Sequence, residues 1–354
     1  MHMPPPVHGA AMIGKWIHDS ALINNTFECQ YVNVATANNL DDLGHGGLKK
    51  ALLYFRQLHT ILKLLIDFAP DLVYVTPAAY GLSFLKDCFM VQLIKWRGKR
   101  VVIHYHNKGV ARHSDGWFMH WLYSCFFDDV KVILLSKLLY PDISTFVPRE
   151  RVMICANGIP SSDELPKHSS QQDRLNVLFL SNLLRSKGLF TLLDALAMLK
   201  GENICCDIAG APGDVSIAQL HMAIQERGIE SFVEYKGFAD QNLKSQLFSW
   251  ADIFVFPTEN ECFGLVLLEA MRNSIPCIAT DEGAIPDIID DGETGWIVEK
   301  RDSIQLANRI KWMLCHPQER EKMGREGKMK FEKYYTLERF EDDMVTILTT
   351  CLES

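Results

Sequence analysis

Along this chain, short runs of β-branched residues alternate with longer amphipathic stretches. From residue 29 on, "YVNVAT" precedes the helical pattern "LKKALLYFRQLHTILKLLIDF". "LVYVTP" precedes a helical stretch to Trp96, and "RVVIHYH", a further helix and "VKVILLS" continue the series. Strands separated by helix-length crossovers pair in parallel, so the pattern predicts an α/β fold with a parallel sheet. The rhythm pauses at "RVMICANGIPSSDELPKHSSQQD" (Arg151 to Asp173), where a strand gives way to Asn-Gly, prolines and serines, the chemistry of turns and linkers. It resumes with "NVLFLS", "ICCDIAG", "FVEYKGF", "DIFVFP" and "PCIAT", with helical stretches between them, and the chain is helical from Asp302 onward. Two Rossmann-like, doubly wound domains are therefore expected, residues 1–157 and 158–335. The last helix, 336–354, comes after the second sheet is complete and is expected to pack back on the first domain. Two such sheets facing each other would leave a central cleft at the carboxyl ends of their strands, where open α/β sheets bind ligands.

Length and composition fit this picture. The chain has 354 residues, 48% apolar and 23% charged, the proportions of a globular protein with sizeable cores. Its 36 basic and 44 acidic residues give a net charge of -8, which argues against a surface built for nucleic-acid phosphates. Ten cysteines without a C-x-x-C pair read as small buried residues of a reducing compartment, with adjacent Cys205 and Cys206 in a strand. "MHMPPPVHGAA" lacks the charged-then-apolar order of a signal peptide, and no apolar run of about 18 residues occurs, so a cytoplasmic location is expected. "WFMHWLYSCFF" (Trp117 to Phe127) is aromatic enough to raise interfacial contact with a membrane, although a core-facing helix is the favoured reading.

Candidate chemistry collects at strand ends. After "DIFVFP" and the loop "TEN", Glu261 is followed by Phe263, Gly264 and Leu265, which open a helix whose N–H groups and positive dipole end suit a phosphate. Glu269 lies about a turn inside that helix, so both carboxylates can flank the anion site without occupying it. The spacing alone decides nothing, since Glu226 and Glu234 repeat it in an ordinary helix-to-strand segment. A carboxylate accepts from sugar hydroxyls but repels phosphate. Glu269 is therefore assigned to the ribose of a nucleotide and Glu261 to a transferred sugar. In "PPPVHGAA", Gly9 lets backbone approach a ligand before a helix at Ala11 to Ser20. His104, His106, His113 and His120 match no compact metal site.

The stretches "ECFGLVLLEAMRNSIPCIATDEGAIPDIIDDGETGWIV", "FLSNLLRSKGLFTLLDAL", "NGI" and "PPPVHGA" resemble the retaining, GT-B-fold glycosyltransferases of group one. The resemblance spans nearly the whole chain. It implies that Glu261 contacts the donor sugar, that Glu269 binds ribose and that the amides of Phe263 to Leu265 hold phosphate. In "SNLLRSKGL", Lys187 is the first choice to reach the pyrophosphate; Ser181 and Asn182 stand where the family commonly has Gly-Arg, so Arg185 is the substitute for that arginine. By the same resemblance His106 of "HYHNKG", with Lys108 beside it, meets the reacting sugar, and Gly237 and Phe238 of "EYKGF" meet the base. Gly283 of "DEGAIPD" reads as a plain turn or an approach to the donor. Only Met1, His2 and Met3 precede the prolines, where the family has a full apolar strand, so the first strand is short or missing.

The function these features imply is retaining transfer from a nucleotide-diphosphate sugar to a hydroxyl of a glycan or lipid-linked glycan, in surface polysaccharide synthesis. No metal and no further cofactor are expected, because no D-x-D occurs and a helix dipole with cations does a metal's electrostatic work. Peripheral contact with the inner face of the membrane is left open, and nucleic acid is not an expected partner. The rival readings are a nucleotide-sugar epimerase of the same architecture and a non-catalytic nucleotide-sugar-binding protein.

Overall fold

The computed structural model describes residues 1–5, 9–35, 48–161 and 174–353. The chain divides into two compact units, Met1–Asn157 with Glu338–Ser354, and Gly158–Leu337.

In the first unit, helices α1 (Gly9–Asp19), α2 (Ala21–Thr26) and α3 (Leu48–Asp67) precede β1 (Leu72–Val75); α4 (Gly81–Trp96), β2 (Arg100–Tyr105), α5 (Val110–His113), α6 (Trp117–Phe127), β3 (Lys131–Leu134) and β4 (Val152–Ile154) follow. The strands form one parallel sheet in the order β1-β2-β3-β4. Its covering is aromatic. Phe84 of α4 stacks on Tyr123 of α6 at 4.2 Å between ring centroids, and the Tyr123 hydroxyl, buried with its ring, donates to Ala79 O at 2.6 Å.

The stretch "YVNVAT" does not form a ladder strand. Val34 N–H donates to Met1 O at 3.1 Å, the Met1 amino group donates to Val32 O at 3.1 Å, and the Asn33 side chain bonds both backbone groups of Met3 at 3.2 Å. Three prolines, Pro4 to Pro6, follow Met3 and lack N–H donors, so the pairing does not continue past it as a regular ladder. Thr36 lies outside the described residues.

The second unit runs β5 (Leu175–Leu180), α7 (Leu189–Met198), β6 (Ile204–Ala209), α8 (Ile217–Glu226), β7 (Val233–Tyr235), α9 (Gln241–Trp250), β8 (Ile253–Phe256), α10 (Leu265–Arg272), β9 (Cys277–Thr280), α11 (Ile285–Ile288), β10 (Gly295–Val298), α12 (Ser303–Cys315) and α13 (Pro317–Tyr334). All strands are parallel, in the order β10-β9-β8-β5-β6-β7. The chain winds outward from β5 to β7, then re-enters at β8 on the other side of β5. The switch point of the doubly wound sheet is thus between β5 and β8, which is where such sheets open a crevice. β10 is an addition to the expected sheet: four residues beginning in glycine carry too short a pattern to be read as a strand. Cys205 and Cys206 both lie in β6.

The last helix, α14 (Leu337–Glu353), buries Phe340, Met344 and Cys351. From Glu338 on it belongs to the first unit. Arg100 donates to Leu352 O at 2.6 Å and Lys131 to Thr350 O at 3.3 Å, so cations of the first unit satisfy carbonyls at the negative end of this helix. No helix among the described residues is long and apolar enough to cross a membrane.

Candidate active site

The loops after β5 and β8 meet at the switch point. Ser186 O accepts from Glu259 N–H at 2.8 Å and from the Thr258 hydroxyl at 3.2 Å. Gly188 sits at φ +73°, and a Cβ there would lie 1.8 Å from Pro257 O, so only glycine lets the two loops close to this distance. The clamp brings Lys187 Nζ within 2.8 Å of Glu261 Oε2 and 3.2 Å of Asn260 O. The two side chains are 19% and 21% exposed, shielded enough for the attraction to be felt and open enough for a ligand to compete. The other oxygen of Glu261 accepts from Cys262 N–H at 2.9 Å and, at the edge of hydrogen-bonding distance, from Phe263 N–H at 3.4 Å.

A second layer fixes this loop from behind. Glu282, 4% exposed after β9, accepts from Glu261 N–H at 3.2 Å through one oxygen and from Lys300 through the other. Gly283, at φ +58°, packs where a Cβ would meet Glu261 O at 2.4 Å and Cys262 O at 2.7 Å; it is a turn that supports the loop. Arg301 donates to Glu259 at 2.6 Å.

Gly264, in the left-handed region at φ +89°, precedes α10, and no side chain caps that end at Gly264. Backbone donors and the positive dipole end of an eight-residue helix therefore lie next to the Lys187–Glu261 pair. The Phe263 ring is buried against Tyr335, with centroids 6.2 Å apart.

The other expected contacts of this unit are placed as follows. Glu269, expected to bind ribose, lies on α10 and is bound through both oxygens by Lys244 of α9 at 2.8 and 2.9 Å. Arg185 does not join Lys187: its guanidinium lies 4.8 Å from the Phe190 ring centroid, because the turn that points Lys187 at Glu261 turns its neighbour two residues earlier onto α7. Gly237 and Phe238 follow β7, two strands from β5, with Gly237 O accepting from Gly210 N–H at 2.9 Å and Phe238 68% exposed.

His106 and Gly9 belong to the first unit. His106 follows β2, its ring centroid 4.1 Å from that of His104. His104 is fully buried and its Nδ1 lies 2.8 Å from the Tyr74 hydroxyl. Burial, with the His106 ring beside it, pushes its pKa well below the ordinary histidine value, so His104 is neutral at pH 7. Gly9 is exposed as the first residue of α1; Pro6 to His8 of the "PPPVHGAA" stretch lie outside the described residues. Among the described residues, no group of three or more His, Cys, Asp and Glu is placed to hold a metal ion.

Residues 161–330 match the family model described as glycosyl transferases group 1. The match covers nearly all of the second unit, Gly158–Leu337. The amylovoran biosynthesis glycosyltransferase AmsK of Erwinia amylovora is 27% identical over 228 residues, 60% of this chain and 54% of that protein. The chain thus spans about half the length of curated relatives it matches. Sucrose-phosphate synthase from Thermosynechococcus elongatus superposes with a TM-score of 0.74 at 18% identity, covering 91% of this chain and 83% of that one. The Anabaena protein HepE, in complex with UDP-glucose, superposes at 0.69 with 18% identity, covering 86% and 90%. The fold is therefore GT-B, with two Rossmann-like α/β domains. In the second unit Lys187 and Glu261 stand out in the sequence, whereas Lys244, Glu282 and Lys300 have partners 25, 21 and 18 residues away and carry no local signal.

Proposed function

We propose that the chain is a glycosyltransferase that moves a sugar from a nucleotide-diphosphate donor to a hydroxyl of a glycan or lipid-linked glycan acceptor, with retained anomeric configuration. The observation that carries this reading is the 2.8 Å Lys187–Glu261 pair at the switch point, beside the amino end of α10 in the unit that matches the group 1 family model. Support for the donor class comes from HepE, which is seen with UDP-glucose. Support for the pathway comes from AmsK, whose name places it in amylovoran biosynthesis.

On this reading the diphosphate takes over Lys187 and the amides at the start of α10, and the sugar hydroxyls take over Glu261. Lys187 exchanges a carboxylate for a phosphate and Glu261 exchanges a cation for hydroxyl donors, so neither side chain is left without a hydrogen-bond partner. Glu269 turns from Lys244 to the ribose. The bond from the sugar's anomeric carbon to the diphosphate breaks, and the acceptor oxygen bonds that carbon on the same face. The acceptor proton passes to the departing phosphate oxygen. No protein nucleophile is needed. Lys187 and the helix dipole stabilise the charge that grows on the leaving diphosphate. No metal is assigned a part.

The experiment is a panel of UDP-, GDP- and ADP-sugars incubated with and without lipid-linked glycan acceptors, after thermal-shift ranking of the free nucleotides. Release of nucleoside diphosphate that requires acceptor and survives chelator supports the reading. Release without acceptor, with an altered free sugar, overturns it in favour of an epimerase. Loss of turnover in chelator overturns metal independence.

A further inference from the structure

Helices α4 and α6 are apolar on both sides. On α4 the core side is Phe84, Cys88, Val91 and Ile94, none more than 2% exposed. At the complementary spacing, Leu82, Leu85, Phe89 and Trp96 are 81%, 40%, 51% and 77% exposed. On α6, Tyr123, Phe126 and Phe127 are buried, whereas Trp117, Phe118 and Trp121 are 83%, 49% and 54% exposed. Helices of this kind belong in a deep core or against an apolar medium. The helices that carry the two rows are neighbours, because Gln92 and Lys95 of α4 donate to Cys125 O of α6 at 2.8 and 2.9 Å, and on α6 the Trp117, Phe118 and Trp121 rings lie 5.9 and 6.1 Å apart in succession. α3 extends the surface: its Tyr54 hydroxyl donates to Lys86 O at 2.9 Å, and adjacent Phe55 is 65% exposed. Scattered exposed apolar residues are ordinary, but a continuous aromatic patch marks an interaction surface.

Charge says what kind. The whole chain carries -8, yet residues 81–127 hold seven lysines and arginines against two aspartates and no glutamate, a net of +5. One of those aspartates, Asp87, is buried, which leaves Asp115 as the exposed acid of the stretch, while Arg97 and Arg112 are both exposed. Tryptophan and phenylalanine set among cations, in a chain that is otherwise acidic, suit the headgroup layer of an anionic bilayer, where rings partition and cations meet lipid phosphates.

We infer that the outward face of α3, α4 and α6 is a docking surface for an anionic lipid bilayer, with Trp117, Trp121, Phe89 and Leu82 entering the headgroup boundary and Arg97 and Arg112 on the phosphates. This goes beyond the transfer reading, since it concerns where the first unit rests rather than what the second unit does.

The test is flotation of the full chain with vesicles of phosphatidylglycerol and phosphatidylethanolamine, against vesicles of phosphatidylcholine. Preferential binding to the anionic vesicles, weakened by salt, is expected. A Phe89→Ser/Trp117→Ser/Trp121→Ser variant should lose about tenfold or more of that binding. Its thermal midpoint should stay near that of the parent, because the replaced side chains are exposed. Arg97→Glu/Arg112→Glu should lose the preference for anionic lipid, and it keeps the inference testable if the triple variant folds poorly. Undiminished binding by either variant, or equal binding to both vesicle types, overturns the inference. So does lipid-free self-association that the triple variant abolishes, which would make the face a contact between copies. No nucleotide sugar is present, so a chain that floats with vesicles but transfers nothing would fail the catalytic reading alone.

Discussion

At the carboxyl ends of β5, β8 and β9, the second unit sets carboxylates against cations from other loops: Lys187 with Glu261, Lys300 with Glu282, Arg301 with Glu259. At the end of β2, the first unit sets Tyr74, His104 and His106 together, and the His104 ring is neutral and sealed from water. The contrast is between paired charges that a charged ligand can re-partner and a fully buried, neutral His104 that holds shape. On the proposed reading, charge compensation by exchange falls to the second unit.

The sharpest way to break this contrast is to remove charge on each side. Lys187→Ala should lower kcat/KM by about a hundredfold, roughly 2.7 kcal/mol, the scale of losing an electrostatic stabiliser of a leaving group. Glu261→Gln should cost a similar factor, and the double variant should be far less than multiplicative if the pair works as a unit. His106→Ala should cost about tenfold. Steady-state kinetics in which His106→Ala is as damaging as Lys187→Ala would show that the chemistry is not segregated in this way.

Next comes the clamp that holds the pair. In Gly188→Ala the new methyl would lie 1.8 Å from Pro257 O, at a φ of +73° that side chains disfavour. Loss of about 2 kcal/mol of stability is expected, read from denaturant melts, with activity falling as the loops part. A melt unchanged from the parent would mean that the loops separate at no cost.

Glu282 sharpens the comparison further, because it touches the Glu261 backbone and Lys300 but no proposed substrate atom. Glu282→Gln keeps shape and removes charge, so Lys300 loses its carboxylate partner and the Glu261 loop loosens. A fall of about tenfold in kcat with KM less affected is expected, partly restored in Glu282→Asp. A purely structural role would lower the melting temperature and leave the kcat of the folded fraction unchanged.

The alternation of strands and helices was legible because each strand is a continuous apolar run buried on both faces, as in β5 and β8, and each crossover has a helical period. The first strand region was not, since Met1 to Met3 pair with Val32 to Val34 through a few irregular bonds that no periodicity encodes. Lys187 and Glu261 could be picked out because each follows a strand and sits beside a glycine turn or helix start. Glu282 and Lys244 act through partners on other elements, and that information exists only once the sheet order is known. Arg185 illustrates the same point: its position in a 3-10 turn with the guanidinium over Phe190 is set by tertiary packing that residue type and spacing do not encode.

The smallest effect concerns the neutral cluster of the first unit. The His104 ring has its pKa pushed well below the usual value by burial, so below about pH 6.5 the unfolded chain binds a proton that the folded chain refuses. Stability contributed here is present above about pH 6.5 and falls as pH drops, by about 1.4 kcal/mol per pH unit until the folded-state pKa is reached. Stability should therefore fall between about pH 7 and about pH 5.5. Asp87 acts in the opposite direction: burial raises its pKa, so above about pH 3.8 protonation favours the folded state as pH falls. The difference between parent and His104→Gln removes that contribution. Hydrogen-exchange protection of β2 amides reads the first unit alone, where a whole-chain melt would mix both units. The parent should lose protection between the two pH values and the variant should not. If both lose it equally, the acid sensitivity arises elsewhere, and His104 is not the group that keeps this strand end free of charge.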